Sequence, residues 1–223
     1  MAVEPAELRE AVRAALGCSP EVAEALAASA TARDYAPRTV ILRYGDRWSH
    51  AYLVVAGRAH ALVYGLDGQM VLVHEYRTGD IFGAVAATEV SPAEADVVAA
   101  DPTRAACVPA ADFVMLVERH GSLGLLLVRS LLSQLRATSA RMVDRTTLSA
   151  PGRVYAELLR LARLGDGTVI RPAPVLAALA VRVQSTRETV SRAVSALERR
   201  GIVRREDDTL VIVAAQRLEE LVV

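Results

Sequence analysis

The chain has 223 residues, 52% of them hydrophobic and 23% charged, which is enough for two folded domains and excludes a disordered chain. Its 26 basic residues, all of them Arg, balance 26 acidic residues, so the overall charge gives no indication of a nucleic-acid partner. Two cysteines are too few for a disulfide scaffold. Without a signal segment or a run of about 18 apolar residues, we expect a cytoplasmic protein outside the membrane.

The first half of the chain changes from a helical to a strand pattern. Ala and Leu at helical spacing predict one helix or a pair over residues 7–30, broken between Gly17 and Pro20. Between residues 40 and 108, short apolar runs alternate with Gly-containing turns about every ten residues, which favours an antiparallel sandwich or roll. Asp67-Gly68, between two such runs, is the strongest hairpin signal.

A second helical pattern runs from Ser122 to Thr147, well beyond the length of about 12 residues that is usual in globular proteins. An apolar stripe on so long a helix needs a partner, and a second copy of the same helix is the simplest one. The alternative is a core helix that packs only on its own roll. We therefore predict a dimerisation helix with an interface that includes Leu125, Leu132, Leu135 and Met142.

The last third of the chain predicts a compact DNA-binding domain. A helix starts near Ser149 and Pro151, and two further helical stretches, residues 174–180 and 186–199, are separated by a short turn. Two short strands follow Gly201, and helix, turn, helix and hairpin together describe a winged helix-turn-helix, whose second helix enters the major groove. From Ala150 onward the sequence has 12 Arg and only 9 Asp and Glu, so the excess of basic residues lies in this domain.

The second of these helices has an apolar face, with Val190 and Leu197, and a polar face with Arg187, Glu188 and Arg192. An Arg can donate two hydrogen bonds to guanine, and a Glu can accept one from cytosine. The alternative for Glu188 and Arg192 is a solvated salt bridge worth about 0.3 to 0.5 kcal/mol. The predicted DNA contacts, which include the turn before the helix, are Arg182, Ser185, Thr186, Arg187, Glu188, Ser191 and Arg192.

The segment TRETVSRAVSALERRGIVRR closely resembles the recognition helix and following turn of the cyclic-AMP receptor protein and FNR family of transcriptional regulators. Gln184 stands where the family's turn usually has Gly, which requires only an unusual backbone angle. The upstream order of roll, long helix and DNA-binding domain is also similar. By this resemblance Arg187, Glu188 and Arg192 correspond to the family's base-reading residues, and the half-site is related to TGTGA.

The resemblance implies an α+β protein in three parts. Residues 1–120 would form a cyclic-nucleotide-binding-like β-roll with N-terminal helices, residues 121–148 the dimerisation helix, and residues 149–223 the winged helix-turn-helix. The implied partners are a palindromic double-stranded DNA site, a second copy of the chain, RNA polymerase, and an unknown small-molecule effector.

The roll resembles the family's nucleotide pocket only in part. Its segment from Gly79 to Gly83 is similar to the start of the phosphate-binding cassette, but Ala84 replaces the acid that would hold a ribose hydroxyl. Glu94 and Ala95 replace the Arg-Ser pair that would hold the cyclic phosphate, and an acid repels an anion. The resemblance therefore implies that cyclic AMP is not the effector. Two residues point the other way, because Thr138 and Ser139 lie where family members contact the adenine; alternatively they are ordinary small residues at a helix interface.

The four His and two Cys show no metal-binding spacing, and no catalytic arrangement is present, so we expect no enzyme activity, cofactor or metal. The leading hypothesis is a transcription factor whose roll binds a different effector or none. The second is a gas or redox sensor, with haem on His74 or a reactive thiol on Cys107, that uses the same DNA-binding domain.

Overall fold

The computed structural model of the protein describes residues 4–65, 70–85 and 93–222. The chain divides into two compact units, Met1–Ala137 and Thr138–Val223. The Asp67-Gly68 turn lies outside the described residues. The three-part division at residues 120 and 148 also stays a prediction.

Two short helices, α1 (Pro5–Leu16) and α2 (Pro20–Ser29), confirm the predicted N-terminal pair. Each starts with a proline, whose fixed φ suits the first turn and whose missing N–H is not needed there. Gly17 ends α1 in the left-handed region, with a φ of 61°, and the side chain of Ser19 caps α2 by accepting from the N–H of Val22.

An antiparallel β-roll follows these two helices, which confirms the predicted fold class. Eight strands in its described part form two four-stranded sheets, with orders β1-β8-β3-β6 and β2-β7-β4-β5. The sequence patterns did not predict β1, whose residues pair with the distant β8, Thr31 opposite Cys107. The strands are β1 (Thr31–Tyr35), β2 (Val40–Leu42), β3 (His50–Ala56), β4 (Arg58–Tyr64), β5 (Met70–Arg77), β6 (Ile81–Gly83), β7 (Asp96–Ala99) and β8 (Thr103–Pro109).

Side chains from both sheets pack together inside the roll. Tyr52 and Tyr76 stack on the ring of Phe82, with ring centroids 5.1 and 4.5 Å away, at separations that favour aromatic pairs. Val54 and Cys107 belong to the same buried cluster. The two sheets are therefore joined by a packed, largely apolar and aromatic layer.

The outer face of the β1-β8-β3-β6 sheet is covered by helices. Side chains of α1, α2, α3 (Ala110–Arg119) and the beginning of α4 (Gly121–Thr147) share a buried core with Leu53 and Ile81 of the sheet. Of the 27 residues of α4, only Leu123 and Leu127 are buried. Among the helices of the described ranges, none is long and apolar enough to cross a membrane.

The second unit is a winged helix-turn-helix, as predicted, with a single apolar core. The first helix of the motif begins at Leu176, two residues later than predicted. It also ends later, because it continues through Val183 until Gln184 adopts a left-handed conformation. The wing has a third, very short strand that the sequence patterns did not predict, and its order is β10-β11-β9. The elements are α5 (Ala150–Ala162), β9 (Val169–Ile170), α6 (Leu176–Val183), α7 (Arg187–Arg199), β10 (Val203–Glu206), β11 (Thr209–Ile212) and α8 (Ala215–Glu219).

Candidate nucleic-acid interface and sensor roll

Helix α7 is amphipathic, and its two faces differ sharply in burial. Val190, Ala193, Val194 and Leu197 are buried in the core of the second unit. At about 100° per residue, Arg187, Glu188 and Arg192 lie on the opposite side of the helix, and all three are exposed. The buried face fixes the helix, and the polar face is free to contact a ligand.

The first turn of α7 is shaped by its cap. Thr186 is the N-cap residue, and its side-chain oxygen accepts from the N–H of Thr189 at 3.2 Å. Hydrogen bonds from its own backbone N–H and from Thr186 lower the pKa of Glu188, so this carboxylate is ionised and can only accept hydrogen bonds. The free N–H groups of such a turn attract a phosphate.

The turn before α7 adopts the unusual angle that the sequence required. Gln184 has a φ of 49° and so occupies the left-handed region, in the place where the resemblance expected Gly. The N–H of Ser185 donates to the carbonyl of Ala180 at 3.0 Å, which closes the end of α6. Ser185 and Ser191 are half-buried, whereas Thr186 is exposed.

Arg153 on α5 holds this turn, and sequence patterns did not single it out. Its guanidinium donates to the carbonyls of Val183 at 2.9 Å, Gln184 at 3.2 Å and Leu148 at 3.2 Å. Carbonyls at a helix end have no partner within the helix, so a cation that binds them stabilises the end. Nothing in its sequence spacing distinguishes Arg153 from the other arginines, because two of its three partners lie about 30 residues away, at the end of α6.

Arg182, a predicted DNA contact, has a different environment from the other predicted residues. Its side chain is 12% exposed and lies 3.4 Å from the carboxylate of Glu157, which is itself buried. Arg160 also pairs with Glu157, and its other nitrogen lies 2.6 Å from Asp144. Arg182 is therefore part of an ionic network that joins α5 and α6.

The predicted interface residues of α4 are exposed in the single chain. Leu125, Leu132, Leu135 and Met142 are between 46% and 70% exposed, as is Val128. They follow one another at intervals of 3, 4, 3 and 7 residues, the spacing of a coiled-coil seam. Large exposed apolar groups in such a row are typical of a surface that binds a partner.

The predicted effector residues fall in both units. Gly83 ends β6 with a φ of 93°, and a Cβ there would meet the carbonyl oxygen of His50 at 2.5 Å, so the backbone packs closely at this point. Ala84 follows, and its N–H donates to the same carbonyl at 2.9 Å. Glu94 is exposed and Ala95 half-buried just before β7. The other two residues, Thr138 and Ser139, are exposed on α4 in the second unit.

The two residues of the sensor alternative are buried in the roll. Cys107 contacts the hydroxyl of Tyr35 at 3.9 Å, and burial raises the pKa of its thiol. His74 is 9% exposed, and its ring lies 4.8 Å from that of Tyr76. A raised pKa disfavours the thiolate, which is the reactive form of cysteine.

Family models match both units of the chain. The cyclic nucleotide-binding domain model matches residues 32–120, and the Crp-like helix-turn-helix domain model matches residues 152–221. Together they cover more than two thirds of the 223 residues. The chain belongs to the CRP/FNR family of transcriptional regulators. Its helix-turn-helix is therefore a DNA-binding domain, and its family consists of regulators rather than enzymes.

Full-length relatives support this assignment. The chain is 29% identical over 206 residues to the cyclic AMP receptor protein of Thermus thermophilus, an alignment that covers 92% of this chain and 94% of the relative. It is 25% identical over 207 residues to a CRP-like cAMP-activated global transcriptional regulator of Mycobacterium tuberculosis, with 91% and 92% covered. The solved structure of FixK2 from Bradyrhizobium japonicum shares the fold, with a TM-score of 0.74, 23% identity and 86% and 96% coverage.

The three hydrogen bonds of Arg153 should stabilise the DNA-binding domain of this CRP/FNR regulator against unfolding. Arg153→Ala should lower the free energy of unfolding by about 2 to 4 kcal/mol, because three carbonyls lose a charged donor. Urea unfolding followed by far-ultraviolet circular dichroism measures this loss. Arg217→Ala is the matched control, since it removes an exposed Arg from α8 of the same unit. Equal stability of both variants would show that the turn does not depend on Arg153.

Proposed function

We propose that the protein regulates transcription as a homodimer that reads a palindromic DNA site with α7 of each subunit. The observation that carries this proposal is the exposed arc of Arg187, Glu188 and Arg192 on a helix whose other face is buried. A side chain held this way can reach base edges, because the helix itself fits the major groove. We propose RNA polymerase as a further partner of the DNA-bound dimer.

Each predicted DNA-contact residue has a proposed role. Arg187 and Arg192 would donate to guanine O6 and N7, and the ionised Glu188 would accept from cytosine N4. Ser185, Thr186 and Ser191 would bind backbone phosphates, which position the helix without reading sequence. For Arg182 we propose an indirect role, because its pair with Glu157 keeps most of the side chain from solvent and fixes α6.

Dimerisation through α4 is the second part of the proposal. The row of exposed apolar residues repeats at coiled-coil spacing, and its burial against a second copy would remove it from water. Two-fold pairing also follows from DNA recognition, since half-sites one helical turn apart, about 34 Å, require two recognition helices.

For the roll we propose an effector other than cyclic AMP, or none. The two relatives are named for cyclic AMP, but this chain has Ala84, Glu94 and Ala95 at the positions that would bind the ribose and the phosphate. An exposed carboxylate at residue 94 repels a cyclic phosphate. The buried Cys107, with its raised pKa, argues against the alternative of a thiol sensor. Haem on His74 would give a strong visible absorption band in the purified protein.

Base reading by Arg187 is tested by Arg187→Ala. On a palindromic duplex selected from a random library by the wild type, this change should cost about 1 to 3 kcal/mol of binding free energy. On a random duplex of the same length the loss of binding free energy should be small, because the wild-type Arg187 makes no specific base contact with that duplex. Arg217→Ala, which removes an exposed charge from α8, controls for net charge. Equal losses on both duplexes would instead make Arg187 a phosphate contact.

The effector proposal is tested by titrating cyclic AMP into the protein in a calorimeter. We expect no saturable heat at sub-millimolar concentration, because the residues that would hold the phosphate are missing. Binding at micromolar concentration would contradict the alignment of Glu94 and Ala95 with the phosphate clamp.

The dimer is tested by Leu132→Glu with Leu135→Glu. Carboxylates facing their own copies across a two-fold seam would have to be buried together, so this double variant should elute as a monomer in size-exclusion chromatography. The matched control is Ser133→Glu with Ala140→Glu, which adds two exposed charges about 130° around the helix from the stripe. A folded Leu132→Glu, Leu135→Glu variant that remains dimeric would exclude α4 as the interface.

A further inference from the structure

The tip of the wing carries two carboxylates without ionic partners. Asp207 and Asp208 connect β10 and β11, and both are exposed. Within the described part of the chain, no ion pair involves either of them. The neighbouring charges are already paired: Arg204 lies 2.5 Å from Glu206, and Arg205 lies 3.7 Å from Glu198 of α7.

The wing tip lies beside the start of α6. The N–H of Ala173, three residues before the first residue of α6, donates to the carbonyl of Asp208 at 2.7 Å. In a helix-turn-helix the first helix crosses the DNA backbone while the second enters the groove. In that docking geometry the wing tip would lie beside the DNA backbone, and its carboxylates would repel phosphates over a Debye length of about 8 to 10 Å.

The start of α6 offers little that could compensate for this charge. Its N-cap residue, Val175, is 69% exposed and provides no side-chain cap, and Leu176 and Ala177 follow in the first turn. Arg171 is the one cationic residue between residues 171 and 177, so a single positive charge stands against the two negative charges of Asp207 and Asp208. A helix start that binds phosphate well has polar or cationic side chains near its free N–H groups.

We infer that Asp207 and Asp208 limit the affinity of this protein for the DNA backbone, so that binding depends on the base contacts of α7. This inference rests on the proposed function, since it needs α6 and α7 to meet DNA in the helix-turn-helix manner. The wing then serves as a sequence-independent electrostatic restraint. It weakens binding to every duplex by the same mechanism, whatever bases are present.

The test measures affinity for a random-sequence duplex by fluorescence anisotropy over a range of salt concentrations. One variant, Asp207→Asn with Asp208→Asn, removes the two charges. A second, Asp207→Asn with Asp208→Lys, also places a cation at the tip. Asn is chosen at residue 207 because its φ of 42° lies in the left-handed region, which Asn tolerates. The matched control is Glu118→Gln with Glu220→Gln, which removes two negative charges, as the first variant does, from exposed residues outside the wing.

Both wing variants should bind the random duplex more tightly than the wild type, and the lysine variant the most. One new phosphate contact steepens the slope of log affinity against log salt by about 0.9, so the lysine variant's advantage should grow roughly three- to fourfold from 200 to 50 mM salt. Wild-type affinity in both wing variants, with thermal unfolding unchanged, would overturn the inference. An equal gain in the control would overturn it too, because net charge alone would then explain the result.

The same variants separate this inference from the proposed function. If Arg187→Ala weakens binding only to the selected palindrome while the wing variants leave random binding unchanged, the reading by α7 stands and the role of the wing is wrong. If Arg187→Ala has no effect on the palindrome, the proposed docking of α7 fails, whatever the wing variants do.

Discussion

The guanidinium of Arg153 binds the carbonyls of Leu148, Val183 and Gln184, and so links α5 to the turn that precedes α7. A helix-turn-helix positions its second helix through a turn of a few residues, so a small change in that turn moves every side chain that faces the DNA. Here the turn contains a left-handed Gln184, a conformation that is costly without supporting contacts. The buried face of α7 and the cap of Thr186 then hold the helix in place.

Three arginines of the second unit illustrate how burial assigns a role to a residue type. Arg153 is half-buried and binds carbonyls, Arg182 is mostly buried and pairs with the buried Glu157, and Arg187 is exposed on α7. A buried charge must have a partner, whereas an exposed one loses little by exchanging water for a base or phosphate. The network around Glu157 joins α5 and α6, and the exposed arc is the part that we propose contacts DNA.

The roll has the fold of a cyclic nucleotide-binding domain, and a layer of aromatic rings packs inside it. Its interior contains the stacked rings of Tyr52, Phe82 and Tyr76, and burial raises the pKa of Tyr76 to about 12, so its hydroxyl stays neutral. These rings belong to the packed layer that holds the two sheets together, whereas the selectivity we propose for the roll rests on Ala84, Glu94 and Ala95.

The sequence by itself determined the features that depend on local spacing. Short apolar runs between turns predicted most strands of the roll, and the 3.6-residue period identified α7 and its polar face, since neighbouring residues carry that information. Only the tertiary structure decided what depends on distant partners. The pairing of Thr31 with Cys107 created β1, and the pairing of Val169 with Val211 created the third strand of the wing. The burial of Arg182 against Glu157 distinguished it from the exposed arginines, because burial is a property of packing that no local pattern contains.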